Sequence, residues 1–377
     1  MNLLDAARIL AGLVLLTAGG ESLVRGASAL ARKVGVSALV VGLTVVSTAT
    51  SAPELAVAVG AVLAGEPELA VGNVVGSNIA NVLLILGISA LVLPLAVKKR
   101  LVRLDLPFMV TVSVMLLLLS LDRAISGLDG LILLATLAVH AGVSVVLTRR
   151  HAARVGKPSE EDGEPEAEQK TAPTSVVVSL VLVAGGVGLL VLGATLLVDG
   201  AVNLAAALGI SSLVVGLTVV AVGTSLPELA VAVIAVRRGQ RDLAVGNVVG
   251  SNIVNIGVVL GVPALIAANG IPVPSSTVAF DIPLMLAAAV ALLPIAFTGF
   301  SIARWEGGLF LTLYAAYTGF VILAATEHDA LAGFTAIMAW FVLPLIGVTL
   351  AVFAAYEVGL RKGLREGRRE GRRGGRR

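Results

Sequence analysis

The sequence has no cysteine, few aromatic residues and little charge for its length. Of 377 residues, 4% are aromatic and 14% charged, whereas 57% are hydrophobic and the mean hydropathy is +1.00. The absence of cysteine excludes disulfides, thiolate metal sites and cysteine nucleophiles. The scarcity of charge excludes an ordinary water-soluble domain, in which about 25% of residues are charged. It also excludes a disordered chain. The composition indicates a polytopic helical membrane protein.

Apolar stretches long enough to cross a bilayer recur along the chain. A spanning helix needs roughly 20 apolar residues. Eleven stretches meet this requirement, at 6–32, 37–64, 69–95, 105–121, 127–148, 174–205, 211–237, 243–268, 277–297, 303–325 and 331–357. We therefore predict an all-α polytopic membrane protein. Its 42 glycines favour close packing between helices.

One charged, proline-containing segment at 149–173 interrupts the apolar pattern. We interpret it as a flexible cytoplasmic linker between two membrane halves, residues 1–148 and 174–325. Residues 326–377 are predicted to form an extra helix and a basic tail. The tail has a composition that nucleic-acid-binding segments share, but a basic tail beside a membrane helix is expected to attract lipid headgroups. No nucleic-acid partner is therefore expected.

Lysine and arginine predict the orientation. When loops are assigned alternately to the two sides, 25 of the 27 basic residues fall on one side, and only Arg8 and Arg123 fall on the other. Cytoplasmic loops carry the excess of Lys and Arg. We expect a multi-pass protein of the cell (plasma or inner) membrane with its N-terminus outside. The linker and the tail are expected to be cytoplasmic.

An internal repeat gives the strongest indication of function. Residues 37–81 align without a gap with 211–255, at a constant offset of 174, and 33 of 45 positions are identical. Five predicted spans precede the second half, so each repeated helix crosses the membrane in the opposite direction to its partner. Inverted repeats are common in secondary transporters, which bind their substrate near the membrane midplane between the repeats.

The first repeated motif is predicted to break a helix inside the membrane. Pro53 has no N–H, so the carbonyl of Ala49 loses its helical partner. Thr50 and Glu54 are four residues apart and share a face. A hydroxyl, a carboxylate and freed carbonyls then converge. The second copy repeats this pattern with Thr224, Ser225, Pro227 and Glu228.

The second motif supplies amides and hydroxyls. Asn73, Ser77 and Asn81 lie on one helical face, and their copies are Asn247, Ser251 and Asn255. Asn78 and Asn252 lie off this face and are expected to hydrogen-bond between helices. Mixed carboxylate, amide and carbonyl oxygens in flexible geometry suit Ca2+. Because a carboxylate at the bilayer centre costs at least ~2.5–3.5 kcal/mol, two duplicated ones favour a bound cation.

Both motifs resemble the alpha repeats of the cation/calcium exchanger superfamily, in particular its prokaryotic sodium/calcium-exchanger-like branch. The resemblance covers roughly residues 6–325. It implies ten helices in two inverted halves of five, to which the eleventh span would be an addition. It also implies alternating access as a small helical bundle slides against a central cation site.

The resemblance also implies a set of ligands. Glu54 and Glu228 would be the main calcium ligands, joined by the backbone carbonyls of Thr50 and Thr224. Sodium or proton positions would be lined by Ser51, Ser77, Asn81, Ser225, Ser251 and Asn255, with carbonyls of Ser47 and Ala221. The transported ions would be Ca2+ and Na+ or H+, with no cofactor and no catalytic residue.

One departure from the family concerns the counter-ion. Sodium/calcium exchangers of this family typically carry one Asp at the positions of Asn81 and Asn255, and both are Asn here. Two carboxylates balance one Ca2+, two Na+ or two H+, but not three Na+. This favours calcium/proton exchange, whereas the TS-x-PE form of the first motif is that of sodium exchangers. The choice between Na+ and H+ stays open.

Three other classes of protein remain as alternatives. A passive cation channel would carry current without exchange, and a membrane scaffold would use Glu54 for stability alone. An intramembrane enzyme would need a nucleophile–base pair or a metal-ligand set. The motifs contain neither His nor Lys beside their Ser and Glu residues. The leading hypothesis is a secondary antiporter for Ca2+.

Overall fold

The protein is described by a computed structural model that covers most of the two membrane halves. The described residues are 3–34, 38–155, 175–207, 221–297 and 299–326, with further short stretches between 328 and 355.

The described part of the first half consists of eight helices, some of which are continuous with the next one. They are α1 (Leu3–Val34), α2 (Ala38–Val41), α3 (Ser47–Thr50), α4 (Ala52–Leu63), α5 (Glu68–Ala80), α6 (Leu86–Val92), α7 (Leu106–Leu119) and α8 (Gly127–Val155). The second half repeats this order. Its helices are α9 (Val176–Ala207), α10 (Ala221–Gly223), α11 (Leu226–Arg237), α12 (Arg241–Val254), α13 (Gly261–Ile266), α14 (Ile282–Phe297) and α15 (Arg304–Ala325), followed by α16 (Ala330–Ile337).

Short π-helical segments join several of these helices into longer spans. They lie at Gly42–Val46, Asn81–Ile85, Leu101–Asp105, Asn255–Leu260 and Thr277–Asp281. Such segments are rare and often occur at functional sites. They were not predicted from the sequence.

Nine helices of the described part of the chain are long and apolar enough to cross a membrane. The all-α, multi-span prediction is therefore confirmed. The span predicted at 211–237 lies partly outside the described residues, and the one predicted at 331–357 lies mostly outside them. Helices suit this setting because they satisfy every backbone polar group within one segment, as hydrocarbon requires.

The two halves pack on each other through equivalent helices that run antiparallel. A Cβ added to Gly12 would meet Gly193, and one added to Gly19 would meet Gly186. Gly12 and Gly186 are repeat equivalents, as are Gly19 and Gly193. Gly12 of α1 thus faces the repeat equivalent of Gly19, and Gly19 faces the repeat equivalent of Gly12. This reciprocal pattern is the one that an inverted repeat predicts.

The core lies in the centre of the bundle, in the spans that carry the second motif. In Glu68–Val92 and in Arg241–Ile266, 78% of the residues of the apolar 18-residue stretch are buried, compared with 6% in Arg304–Ala325. The most buried helices are therefore α5 and α12 with their π-helical continuations. Helix α15, by contrast, lies at the periphery, where most of its residues are only partly buried.

Two short antiparallel sheets connect loops of the two halves. Strand β1 (Leu95–Ala96) pairs with β4 (Ser301–Ile302), and β2 (Ala124–Ile125) pairs with β3 (Ile271–Pro272). Both members of the first pair were assigned to the cytoplasmic side, and both members of the second pair to the opposite side. The pairing therefore agrees with the predicted alternation of loops.

The boundary of the predicted linker differs from the structure at one end. Helix α8 ends at Val155, beyond residue 148 where the first half was expected to stop. Polar residues at the end of a long helix can continue it outside the apolar span, so hydropathy alone places the boundary too early. The rest of the predicted linker, residues 156–173, lies outside the described residues.

Candidate cation-binding site

Two broken helices form the frame of the site. The first breaks at Ser51, which has φ −81° and ψ 4° between α3 and α4, and Pro53 lies in the first turn that follows. The second breaks at Ser225, with φ −89° and ψ 5°, and Pro227 follows. The predicted disruption of both helices is therefore present, at equivalent positions of the two halves.

Each break places a glutamate at the start of a new helix. Glu54 lies in the first turn of α4 and Glu228 in the first turn of α11. The first N–H groups of a helix have no partner within it, and the N-terminal end carries partial positive charge. The break thus presents a favourable electrostatic end to each carboxylate. Glu54 is 1% exposed and Glu228 is 0% exposed.

The site is assembled from both halves. Helix α4 packs against the π-helical segment that begins at Asn255, and α11 packs against the segment that begins at Asn81. The Thr50 hydroxyl lies 3.3 Å from Oδ1 of Asn247, across the repeats. The Asn73 amide donates to the Glu54 carbonyl at 3.3 Å, within the first half. Residues of both repeats therefore contribute to the site.

Most of the twelve predicted ligands are buried. Ten are buried: Ser47, Thr50, Ser51, Glu54, Ser77, Asn81, Ser225, Glu228, Ser251 and Asn255. Thr224 is half-buried. Ala221 begins α10, and its side chain lies outside the described residues.

The backbone carbonyl of Ser47 is already used in this conformation. It accepts hydrogen bonds from Ser51 N at 3.0 Å and from the Thr50 hydroxyl at 3.3 Å. A carbonyl oxygen has two lone pairs; one accepts from Ser51 N, and the other shares the single Thr50 hydroxyl proton with Oδ1 of Asn247. A cation ligated by this carbonyl would have to displace one of these hydrogen bonds.

Several buried oxygens at the site have no hydrogen-bond partner among the described residues. They are Ser51 Oγ, Glu54 Oε2, Asn81 Oδ1, Ser225 Oγ, Glu228 Oε1 and Oε2, Ser251 Oγ and Asn255 Oδ1. The great majority of buried polar side-chain atoms in proteins are paired. A cluster of unpaired oxygens that includes carboxylates is the donor set that a hard cation such as Ca2+ prefers.

Imidazole and thiolate ligands take no part in this cluster. Within the described ranges, no group of three or more His, Cys, Asp or Glu residues could hold a metal ion. His140 is engaged elsewhere, with Nε2 3.5 Å from Oδ1 of Asp105 and its ring stacked on Phe108. The site therefore consists of hydroxyl, amide and two carboxylate groups.

The sequence did not predict which residues Asn78 and Asn252 would contact at the site. They do hydrogen-bond between helices, as expected, but their partners are the amides of Asn81 and Asn255. The repeat offset pairs Asn78 with Asn252, which was the signal available in the sequence. A helical wheel of one helix could not show that its neighbour would be the equivalent helix of the other half.

Comparison with known proteins agrees with this architecture. The family model described as sodium/calcium exchanger protein matches residues 5–146 and 178–323. The inner membrane protein YrbG of Escherichia coli (strain K12) is 42% identical over 266 residues, which cover 70% of this chain and 80% of YrbG. The sodium/calcium exchanger MaX1 of Methanosarcina acetivorans is 33% identical over 288 residues, which cover 68% of this chain and 81% of MaX1.

A solved structure shows the same fold. The structure of the sodium-calcium exchanger NCX_Mj superposes with a TM-score of 0.70 at 33% identity, covering 86% of this chain and 99% of NCX_Mj. Fold and site together place the chain among the ion antiporters of membranes. It belongs to the sodium/calcium exchanger family, whose model matches most of both membrane halves.

Proposed function

We propose that the protein is a secondary active antiporter that exchanges Ca2+ for Na+ or H+ at the site of Glu54 and Glu228. The observation that carries this proposal is the cluster of buried oxygens without partners, centred on these two carboxylates. The names of the relatives MaX1 and NCX_Mj, both sodium/calcium exchangers, support the same ions. The proposal assigns no catalytic residue and no cofactor.

Charge balance couples the two ions. One Ca2+ neutralises both carboxylates, and so do two monovalent cations. A site with two uncompensated charges is costly to move through the low-dielectric centre of the membrane. The loaded site therefore passes between the two sides of the membrane, whereas the empty site does not. Exchange rather than leak follows from this difference.

Alternating access uses the division of the bundle into a core and a peripheral pair. Helices α5 and α12 form the buried core beside the site. Helices α1 and α9 contact each other along the glycines of their shared seam and lie outside that core. The α1–α9 pair slides against the core and opens the site to one side at a time.

The orientation follows from the basic residues. The loops with most Lys and Arg face the cytoplasm, the N-terminus lies outside, and the linker and tail lie inside. The name of the relative YrbG, an inner membrane protein, supports a location in the inner or plasma membrane.

The counter-ion is tested by 45Ca2+ uptake into proteoliposomes under an outward Na+ gradient or an outward H+ gradient, imposed separately. Because Asn81 and Asn255 are neutral, calcium/proton exchange is the second candidate, and it predicts uptake under the H+ gradient only. Uptake under the Na+ gradient only would identify a sodium/calcium exchanger. Ca2+ uptake that proceeds when neither a Na+ gradient nor an H+ gradient is imposed would contradict antiport and indicate a passive cation channel. Glu54→Gln serves as the inactive control.

A further inference from the structure

Four asparagines meet where the central helices of the two halves cross. Asn78 and Asn81 come from the first half, and Asn252 and Asn255 are their equivalents in the second. All four are at most 3% exposed. Buried amides at such a crossing require partners for both their oxygen and their nitrogen.

These asparagines form two reciprocal hydrogen bonds between the halves. Nδ2 of Asn81 donates to Oδ1 of Asn252 at 2.9 Å. Nδ2 of Asn255 donates to Oδ1 of Asn78 at 3.1 Å. Each bond is the repeat equivalent of the other, so the same geometry occurs twice around the centre of the molecule.

The amides of Asn78 and Asn252 are oriented by contacts that their nitrogens make. Nδ2 of Asn78 donates to the Asn252 carbonyl at 3.2 Å and lies 3.6 Å from the sulfur of Met285. Nδ2 of Asn252 lies 3.6 Å from the sulfur of Met109. With their nitrogens held there, Asn78 and Asn252 turn their oxygens toward Asn255 and Asn81.

This arrangement decides which atoms of Asn81 and Asn255 are free for an ion. Because their nitrogens are used between the halves, each keeps a buried Oδ1 without a partner among the described residues. If either amide turned over, an N–H donor would replace an oxygen in the cluster. A donor directed at a cation is repulsive, so the orientation of the amide changes the ion affinity of the site.

We propose that Asn78 and Asn252 are positioning residues that hold the amides of Asn255 and Asn81 with their oxygens toward the transported cation. The inference rests on the proposed function, since it concerns the same site. Asn252 orients Asn81, and Asn78 orients Asn255. Each half of the protein therefore orients a ligand of the other half.

The pairing also bears on the charge of the site. A carboxylate at position 81 or 255 cannot donate, so it would face the Oδ1 of its partner with lone pairs on both sides. The partner amide would have to turn over and leave its methionine. The crossing is thus matched to two amides, and the site retains two formal charges.

The experiment is a double-mutant cycle on Ca2+ binding, measured by calorimetry on the purified full-length protein. Asn252→Leu removes the acceptor at similar volume, and Asn81→Ala removes the amide that it orients. We expect Asn252→Leu to weaken binding by about tenfold. In the Asn81→Ala background the same substitution should change the affinity by less than about twofold, since the amide it orients is gone.

The cross-combination is the matched control. Asn78→Leu should add its full effect to Asn81→Ala, because Asn78 orients Asn255 instead. A variant that does not elute as a monodisperse protein is replaced by the corresponding Ala variant, which only deletes atoms.

Two outcomes would overturn the inference in different ways. If the wild-type protein binds no Ca2+, the proposed function is wrong, and the positioning role loses its basis with it. If the wild type binds Ca2+ and Asn252→Leu binds equally well, the positioning role alone is wrong. An equal loss in the presence and absence of Asn81 would likewise contradict it.

Discussion

At the scale of single residues, two glutamates lie in an apolar setting where an unpaired carboxylate is costly. Glu54 and Glu228 are fully buried, and neither has a basic partner in the ion pairs of the described residues. Breaking a buried ion pair is costly because it leaves a charge uncompensated. Two buried carboxyl groups without a basic partner are what the proposed cation site requires.

Neutralising either glutamate is predicted to abolish high-affinity Ca2+ binding. Glu54→Gln or Glu228→Gln halves the formal charge of the site, and ligand charge is a principal determinant of calcium affinity. We expect the Kd to rise by at least about 100-fold, or about 2.7 kcal/mol of binding free energy. Calorimetric titration of the purified variants measures this.

Glu68→Gln is the matched control for the two substitutions. Glu68 is exposed at the start of α5. Its substitution by Gln makes the same chemical change as Glu54→Gln, but outside the site. Its affinity should equal that of the wild type. If Glu54→Gln or Glu228→Gln bound Ca2+ with wild-type affinity, the assignment of that residue as a ligand would be wrong.

The residues of the site could be predicted to different extents. Glu54, Glu228, Asn81 and Asn255 could be found because duplication preserves polar residues in an apolar setting twice. The state of the Ser47 carbonyl could not be predicted, since it depends on which hydrogen bonds close around the break. The contacts of Asn78 depend on how helices from different halves cross, and no local pattern encodes this.

At the scale of elements, proline and glycine set the geometry. The prolines that follow Ser51 and Ser225 separate each broken helix into two parts, as their missing N–H predicts. The π-helical segments at Asn81–Ile85 and Asn255–Leu260 were not predicted. A π-helical turn is one inserted residue within an otherwise helical pattern, and neither hydropathy nor composition distinguishes it.

The glycine seam between α1 and α9 is predicted to tolerate no side chain. A Cβ at Gly186 would lie 2.7 Å from Leu23 N and 2.8 Å from Gly19 O, both backbone atoms. Gly186→Ala should therefore destabilise the protein by about 1–3 kcal/mol through overpacking. A lower midpoint of thermal unfolding in detergent is the expected result.

Gly188 on the same helix provides the comparison. A Cβ there meets nothing within 4 Å, and alanine favours a helix over glycine by up to ~1 kcal/mol. Gly188→Ala should leave the midpoint unchanged or raise it. Equal midpoints for Gly186→Ala and the wild type would show that the seam is not closely packed.

At the scale of the whole molecule, loops and charges give one consistent topology. The sheet of β1 and β4 lies beside Lys98 and Arg304, and the sheet of β2 and β3 lies on the opposite side. The sequence predicted this alternation from basic residues alone, because orientation depends on charge near the helix ends. The pairing of the strands could not be predicted, since two-residue strands leave no pattern.

The topology can be tested with single cysteines, because the natural chain has none. Lys99 and Asp122 are both exposed; Lys99 lies in a helical turn that follows β1, and Asp122 lies in a turn that precedes β2. A membrane-impermeant maleimide should label Asp122→Cys in intact cells and Lys99→Cys only after lysis. The opposite pattern would show an inverted protein, and labelling of both in intact cells would contradict the alternation.

The proposed function requires that Ca2+ cross the membrane only in exchange for another cation at one shared site. The most direct measurement records Ca2+ entry, Na+ exit and internal pH together in proteoliposomes containing the purified protein. We predict that every Ca2+ entering is matched by Na+ leaving or by a rise of internal pH as H+ leaves. Net Ca2+ entry with neither change would contradict the account.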